Sequence, residues 1–145
     1  MIIYVDTNVI IDLLAKREPF YENAYKLFEI IANEKNIIGY TSVKSITDIY
    51  YIMHRYYHDK IRTMRSINNL ISLLYVTDNT DIDLLKSFSS QVKDFEDSLI
   101  DELSARHSMS YIVTRNIKDY KGSKVQAITP EEFLKVLALP ELKTE

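Results

Sequence analysis

Short apolar runs rich in β-formers recur along the chain at Ile2–Val5, Ile37–Tyr40, Tyr75–Thr77, Tyr111–Thr114 and Val125–Ile128, and each is separated from the next by a segment with room for a helix. Strands joined that way cannot be hairpins. They pair in parallel through right-handed crossovers and bury both faces of the sheet under helices. The expected fold class is therefore α/β, a three-layer α/β/α sandwich around a central parallel sheet.

The intervals carry helical patterns. Tyr21–Ile31 follows Pro19 and places Ala24, Leu27, Phe28 and Ile31 on one face. Thr41 or Ser42 caps a helix through Tyr51 or beyond, and Asp59 caps Lys60–Leu74, with Ile61, Met64, Ile67, Leu70, Ile71 and Leu74 as its apolar stripe. A short helix opens at Thr80 or Asp81, another covers Asp94–His107, and Pro130 starts a last one containing Phe133, Leu134 and Leu137. No repeat, low-complexity stretch or linker divides the chain, so residues 1–139 are expected to form one domain, with a frayed tail over 140–145.

Composition narrows the chemistry. A chain of 145 residues that is 46% hydrophobic can bury a sufficient core on its own. The absence of cysteine excludes thiol nucleophiles, iron–sulfur clusters and disulfide scaffolds, and favours a reducing cytoplasmic setting. No apolar run suits a signal peptide or a membrane span. Gly39 and Gly122 are the only glycines, too few for a P-loop or a GxGxxG dinucleotide site. A net charge of −3 argues against a wholly basic nucleic-acid binder, while leaving room for a basic groove beside an acidic site.

In open parallel sheets the ligand crevice lies beyond the carboxyl ends of the strands. The first strand runs into Asp6-Thr7-Asn8 and the fourth into Thr114-Arg115-Asn116, with Asp119 close behind. Capping and turn formation are the ordinary alternatives for these residues. Two further acids strengthen the case for a site. Asp48 lies in Val43–Met53, a stretch so apolar that its helix should be covered nearly all round, and a carboxylate there must meet a cation, a donor or a cleft. Asp94, Asp97 and Asp101 fall on one helical face opposite Phe95, Leu99 and Leu103, and Ser98, Ser104 and Ala105 leave that side open to close approach. A solvated acidic face is the simpler explanation of that spacing. Carboxylates that converge repel one another unless a hard cation such as Mg²⁺ or Mn²⁺ compensates, and such an ion supports in-line displacement at a phosphodiester.

The motifs resemble those of the PIN-domain family. Asp6-Thr7-Asn8-Val9-Ile10-Ile11-Asp12-Leu13-Leu14 is similar to its opening, Ser45-Ile46-Thr47-Asp48 falls at its second acid, Asp97-Ser98-Leu99-Ile100 at its third, and Tyr111–Tyr120 resembles its closing motif. The resemblance implies a PIN-like fold and a metal-dependent endoribonuclease similar to VapC-type toxins, using Mg²⁺ or Mn²⁺ and neutralised by a small antitoxin. It assigns Asp6, Asp48 and Asp97 as metal ligands and adds Asn116 and Asp119 to the catalytic set. Two departures stand out: the second acid, commonly Glu, is Asp48, and a position often Asp is Asn116, which can still orient a metal-bound water with one charge fewer.

Asn8, Arg55, Lys60 and Arg115 are the expected substrate contacts, because Arg55, Tyr56, Tyr57, Lys60, Arg62 and Arg65 interleave cations with aromatics as single-stranded RNA binding requires. His54 and His58 share zinc-compatible spacing, but Arg55 stands where HExxH needs Glu and no third ligand is evident. The expected partners are RNA, a small antitoxin and, as an open alternative, a second copy of the chain. The rival functions are a receiver-like or PIN-fold binding module without nuclease activity, and a haloacid-dehalogenase-type phosphatase. The phosphatase needs Asp-x-Asp, whereas the chain has Asn8 at the second acid.

Overall fold

The structure, a computed structural model, describes residues 1–139; the expected frayed tail, 140–145, lies outside the described residues. In chain order the elements are β1 (Ile2–Val5), α1 (Thr7–Leu14), α2 (Tyr21–Asn33), β2 (Ile38–Ser42), α3 (Val43–Tyr57), α4 (Lys60–Ile71), β3 (Tyr75–Thr77), α5 (Asp81–Ser87), α6 (Phe95–Arg106), β4 (Tyr111–Val113), a 3₁₀ turn (Ile117–Tyr120), β5 (Gln126–Ile128) and α7 (Pro130–Leu137). The strands form one parallel sheet in the order β3-β2-β1-β4-β5. The α/β/α fold is as the spacing of apolar runs predicts.

Alternation along the central strands divides the core in two. Ile3, Val5 and Val113 face one side with Val9, Ile10, Leu27, Ile49 and Phe133, so that α1, α2, α3 and α7 cover that face. Tyr4 and Ile112 face the other with Leu103, Met109 and Tyr120, beneath α6. Gly39 sits where β2 passes close under helices: a Cβ there would come within 2.6 Å of Leu74 Cδ2.

Two expectations about packing need correction. The buried face of α4 is Thr63, Ile67 and Leu70, with Leu74 just beyond it, while Ile61, Met64 and Ile71 are exposed. The helix packs chiefly on α3, so one narrow stripe is enough, and it ends at Ile71 instead of Leu74. Helix α3 likewise buries one stripe, Ser45, Ile49 and Met53, and leaves Val43, Tyr51 and Ile52 exposed. It is not covered all round.

The strand order fixes where a ligand can sit. The chain moves outward from β1 through β2 to β3, then returns to the far side of β1 with β4 and continues to β5. The two directions part between β1 and β4, whose carboxyl ends therefore lie side by side at a topological switch point. The Asp6 backbone N–H donates to Val113 carbonyl O at 2.9 Å, which locks these two strand ends together.

Candidate active site

Asp6 is the first residue beyond β1 and the N-cap of α1, with extended backbone and a side chain that accepts from the Thr7 N–H at 2.9 Å. Capping is thus part of its role, but the donors around it exceed what a cap needs. Asp6 Oδ2 accepts from Thr114 Oγ1 at 2.9 Å, from the Tyr120 hydroxyl at 3.3 Å and from Asn8 Nδ2 at 3.5 Å. The carboxylate is held in one orientation at 8% exposure. Burial nevertheless raises its pKa above the ordinary carboxylate value, and the nearby charge of Asp119 adds to that, against the opposing hydrogen bonds.

Asp97 comes from the first turn of α6, where its backbone N–H is capped by Asp94 Oδ1 at 3.0 Å. Its carboxyl is pushed up to about 7, first by burial and then by the charges of Asp94, Asp6 and Asp119. Tyr120, buried beside both acids, donates its hydroxyl to Asp6; desolvation and the surrounding negative charge of Asp6 and Asp97 keep it protonated. Below lies a second buried hydroxyl layer: Tyr4 Oη contacts Ser42 Oγ at 2.9 Å and Ser45 Oγ at 2.8 Å, and its pKa is raised to about 12 by burial and by Asp6.

Asp6, Asp48, Asp97 and Asn116 line a single cleft of about 660 Å³, together with Asn8, Lys44, Glu96 and Arg115. Residues separated by most of the chain are thereby brought together. Asn8 braces the cleft floor, donating to Thr114 Oγ1 at 3.1 Å and accepting from the Arg115 backbone N–H at 3.1 Å. Asn116 is exposed at the start of the 3₁₀ turn. Asp119 is exposed on the same turn and lines a neighbouring hollow with Asp94 and Lys118, from which its charge still reaches Asp6 and Asp97.

Asp48 meets both a cation and a cleft. Lys44 Nζ lies 2.7 Å from its Oδ1, and the side chain is 38% exposed, so the ion pair is not a buried one. Among the described residues, no three Asp, Glu or His side chains close around a point suited to a metal ion. The oxygen donors of Asp6 and Asp97 suit a hard divalent ion, which would also offset the neighbouring negative charges that add to burial in raising the Asp97 carboxyl. Those two residues fit the expected metal. Asp48 shares their cleft while held by Lys44.

The expected substrate contacts diverge. Arg55 lines a groove beside the cleft with Ile11, Arg17 and Tyr56, and Lys60 is exposed at the start of α4. Arg115 is largely committed elsewhere: its Nε donates to Asp12 Oδ2 at 2.6 Å and its guanidinium lies 4.0 Å from the centroid of the Phe20 ring. Asp12 is only 1% exposed and also accepts from Arg17 Nε at 2.8 Å. The acid embedded in an apolar helix, a role expected of Asp48, is therefore Asp12, and Val9-Ile10-Ile11-Asp12 carries the same signal in sequence. Tyr120 and Lys44 were also absent from the expected set. An isolated tyrosine or lysine carries no local pattern that ties it to a distant carboxylate.

The described residues include no helix long and apolar enough to cross a membrane. No curated protein matches the sequence closely enough to count as a relative. Solved structures match in fold. A chain in the complex of VapBC2 from Rickettsia felis with a DNA fragment from its promoter superposes with a TM-score of 0.71 at 18% identity, covering 89% of this chain and 98% of that one. A chain of a toxin–antitoxin complex from Klebsiella pneumoniae gives 0.64 at 22% identity, covering 88% and 96%. VapC20 from Mycobacterium tuberculosis, a toxin that cleaves the sarcin–ricin loop, gives 0.63 at 14% identity, covering 83% and 95%. The family model for the PIN domain matches residues 3–118, from β1 through the start of the 3₁₀ turn, and the chain belongs to the PIN-domain family.

Proposed function

We propose that this chain is a divalent-metal-dependent endoribonuclease, the toxin of a toxin–antitoxin pair, acting in the cytoplasm. The observation that carries the reading is the meeting of Asp6 and Asp97 at the switch point, where Asp97 is raised to about 7 with acids rather than cations around it. A site arranged so gives up fold stability in the metal-free state and gains affinity for a cation. Asp6 and Asp97 would hold Mg²⁺ or Mn²⁺, with Asn116 and Asp119 at the rim to orient water. The bound ion supplies Lewis acidity toward a phosphodiester and lowers the pKa of its water. Tyr120 and Thr114 keep the Asp6 carboxylate in place, and Asn8 ties the β1 and β4 ends beside it.

Kinship supports the substrate class, since a neighbour in fold is a toxin that cleaves the sarcin–ricin loop and others are toxin–antitoxin complexes. RNA is the proposed substrate, a small antitoxin the proposed partner, and a homodimer a further proposed assembly. Arg55 and Lys60 would guide the RNA backbone from the groove beside the cleft. The test is incubation of the purified protein with single-stranded RNA and Mn²⁺, with EDTA as control. Endonucleolytic fragments that appear with Mn²⁺ and vanish with EDTA are expected. RNA or protein binding without cleavage under any divalent ion would favour the binding module, and release of phosphate from a small phosphomonoester would favour the phosphatase.

A further inference from the structure

The cleft wall carries the carboxylates Asp6, Asp48, Glu96 and Asp97 and the cations Arg17, Lys44 and Arg115. Arg17 and Arg115 both direct their Nε atoms at Asp12. Among the described residues of this wall, Lys44 is thus the cation that answers the cleft's own acids. Its ammonium lies 2.7 Å from Asp48 Oδ1 and 3.6 Å from Glu96 Oε1.

An exposed pair four residues apart on a helix ordinarily has little consequence. Two features set this one apart. The second partner, Glu96, belongs to α6, so the ammonium reaches from α3 across to the helix that carries Asp97. The first partner, Asp48, is the acid whose approach to Asp6 and Asp97 would complete a three-carboxylate shell, and with Lys44 beside it no three acids close around one point among the described residues. An ammonium has three donors on a flexible stem and no acceptor, so it suits either a carboxylate or a phosphate oxygen. Lys44 is 56% exposed and can turn from one to the other without leaving a buried site.

We propose that Lys44 is the second positive charge of the site: the centre takes one divalent ion, at Asp6 and Asp97, and the Lys44 ammonium is presented to a phosphate of the RNA. The inference rests on the nuclease reading and adds a residue and an ion count to it. Asp48 is then the group that places Lys44, and RNA entry exchanges one anionic partner of the ammonium for another.

The experiment counts Mn²⁺ bound to the full chain by electron paramagnetic resonance of the free ion, without RNA, and measures single-stranded RNA binding in EDTA across a salt series. Wild type should bind one Mn²⁺. Lys44→Met, which keeps the stem and removes the charge, should release Asp48, take up a second Mn²⁺, and lower the salt slope of RNA binding by about 0.7, the contribution of one phosphate contact on a single strand. Lys44→Arg should restore the wild-type count and slope. Wild type that binds two ions overturns the proposal. So does wild type that binds one ion and cuts RNA while Lys44→Met matches it in ion count and salt slope; the nuclease reading then stands. Wild type that neither binds Mn²⁺ nor cuts RNA overturns both.

Discussion

Replacing Asp97 with Asn should stabilise the metal-free protein at alkaline pH and leave it nearly unchanged in acid. The Asp97 carboxyl holds its proton up to about 7, against 3.8 for the free group. Between those values the folded chain keeps a proton that the unfolded chain has lost, so stability falls as pH rises through the window and the penalty is complete above it. A shift of about 3 units is worth about 4 kcal/mol for a fully buried group. Asp97 is only half-buried, and water screens the repulsion, leaving on the order of 1–2 kcal/mol. Asn removes that penalty. In EDTA at pH 8 the variant should therefore melt roughly 3–6 °C above wild type, with the gap closing by pH 4. Mn²⁺ at a hundredfold its dissociation constant should stabilise wild type by about 2.7 kcal/mol and the variant much less. A variant that melts below wild type at pH 8 in EDTA, or at a constant offset from pH 4 to pH 8, would refute the argument and make Asp97 a structural acid.

Other perturbations separate the parts of the site. Tyr120→Phe removes the hydroxyl that donates to Asp6; the fold should lose about 1 kcal/mol, while Mn²⁺ affinity, read by calorimetry, should fall about tenfold or more. Asp12→Ala strands the Arg17 and Arg115 guanidinium groups around a buried position and should cost about 3 kcal/mol in denaturant melts with or without metal, because its role is to pair those two arginines rather than to hold a metal ion. The double variant Arg55→Ala and Lys60→Ala should lower the salt slope of RNA binding by about 1.4 and leave cleavage at saturating RNA intact; an unchanged slope would move the RNA path to another face.

What the sequence revealed follows from how locally each feature is encoded. The strands are visible because a parallel sheet buries both faces and so demands continuous apolar runs, as in Ile2–Val5 and Tyr111–Val113. Asp6 is visible because it follows such a run directly, and the switch point does the rest. The α4 face was displaced because Ile61, Met64 and Ile71 satisfy a helical stripe as well as Thr63, Ile67 and Leu70 do; the choice lies with α3, which packs on one side only. The same limit explains Asp12 and Asp48. Both acids lie in apolar helices, and the one that becomes buried is decided by the two arginines that reach Asp12 from beyond α1 and from the β4 end. Tyr120 and Lys44 matter only through partners on other elements, and such partners have no signature in spacing.

The most direct test of the paired-acid centre is the single-turnover rate of RNA cleavage by Asp6→Asn against wild type at saturating Mn²⁺. Asn keeps an oxygen to cap α1, places an amide NH2 where Thr114, Tyr120 and Asn8 donated to Asp6 Oδ2, and removes the charge that faces Asp97. The account predicts that wild type cuts only with the metal present and that the variant, still folded by its melt, loses at least about a hundredfold in rate, the scale seen when a group that stabilises charge in the transition state is removed. A folded Asp6→Asn protein that cleaves RNA at the wild-type rate would contradict it.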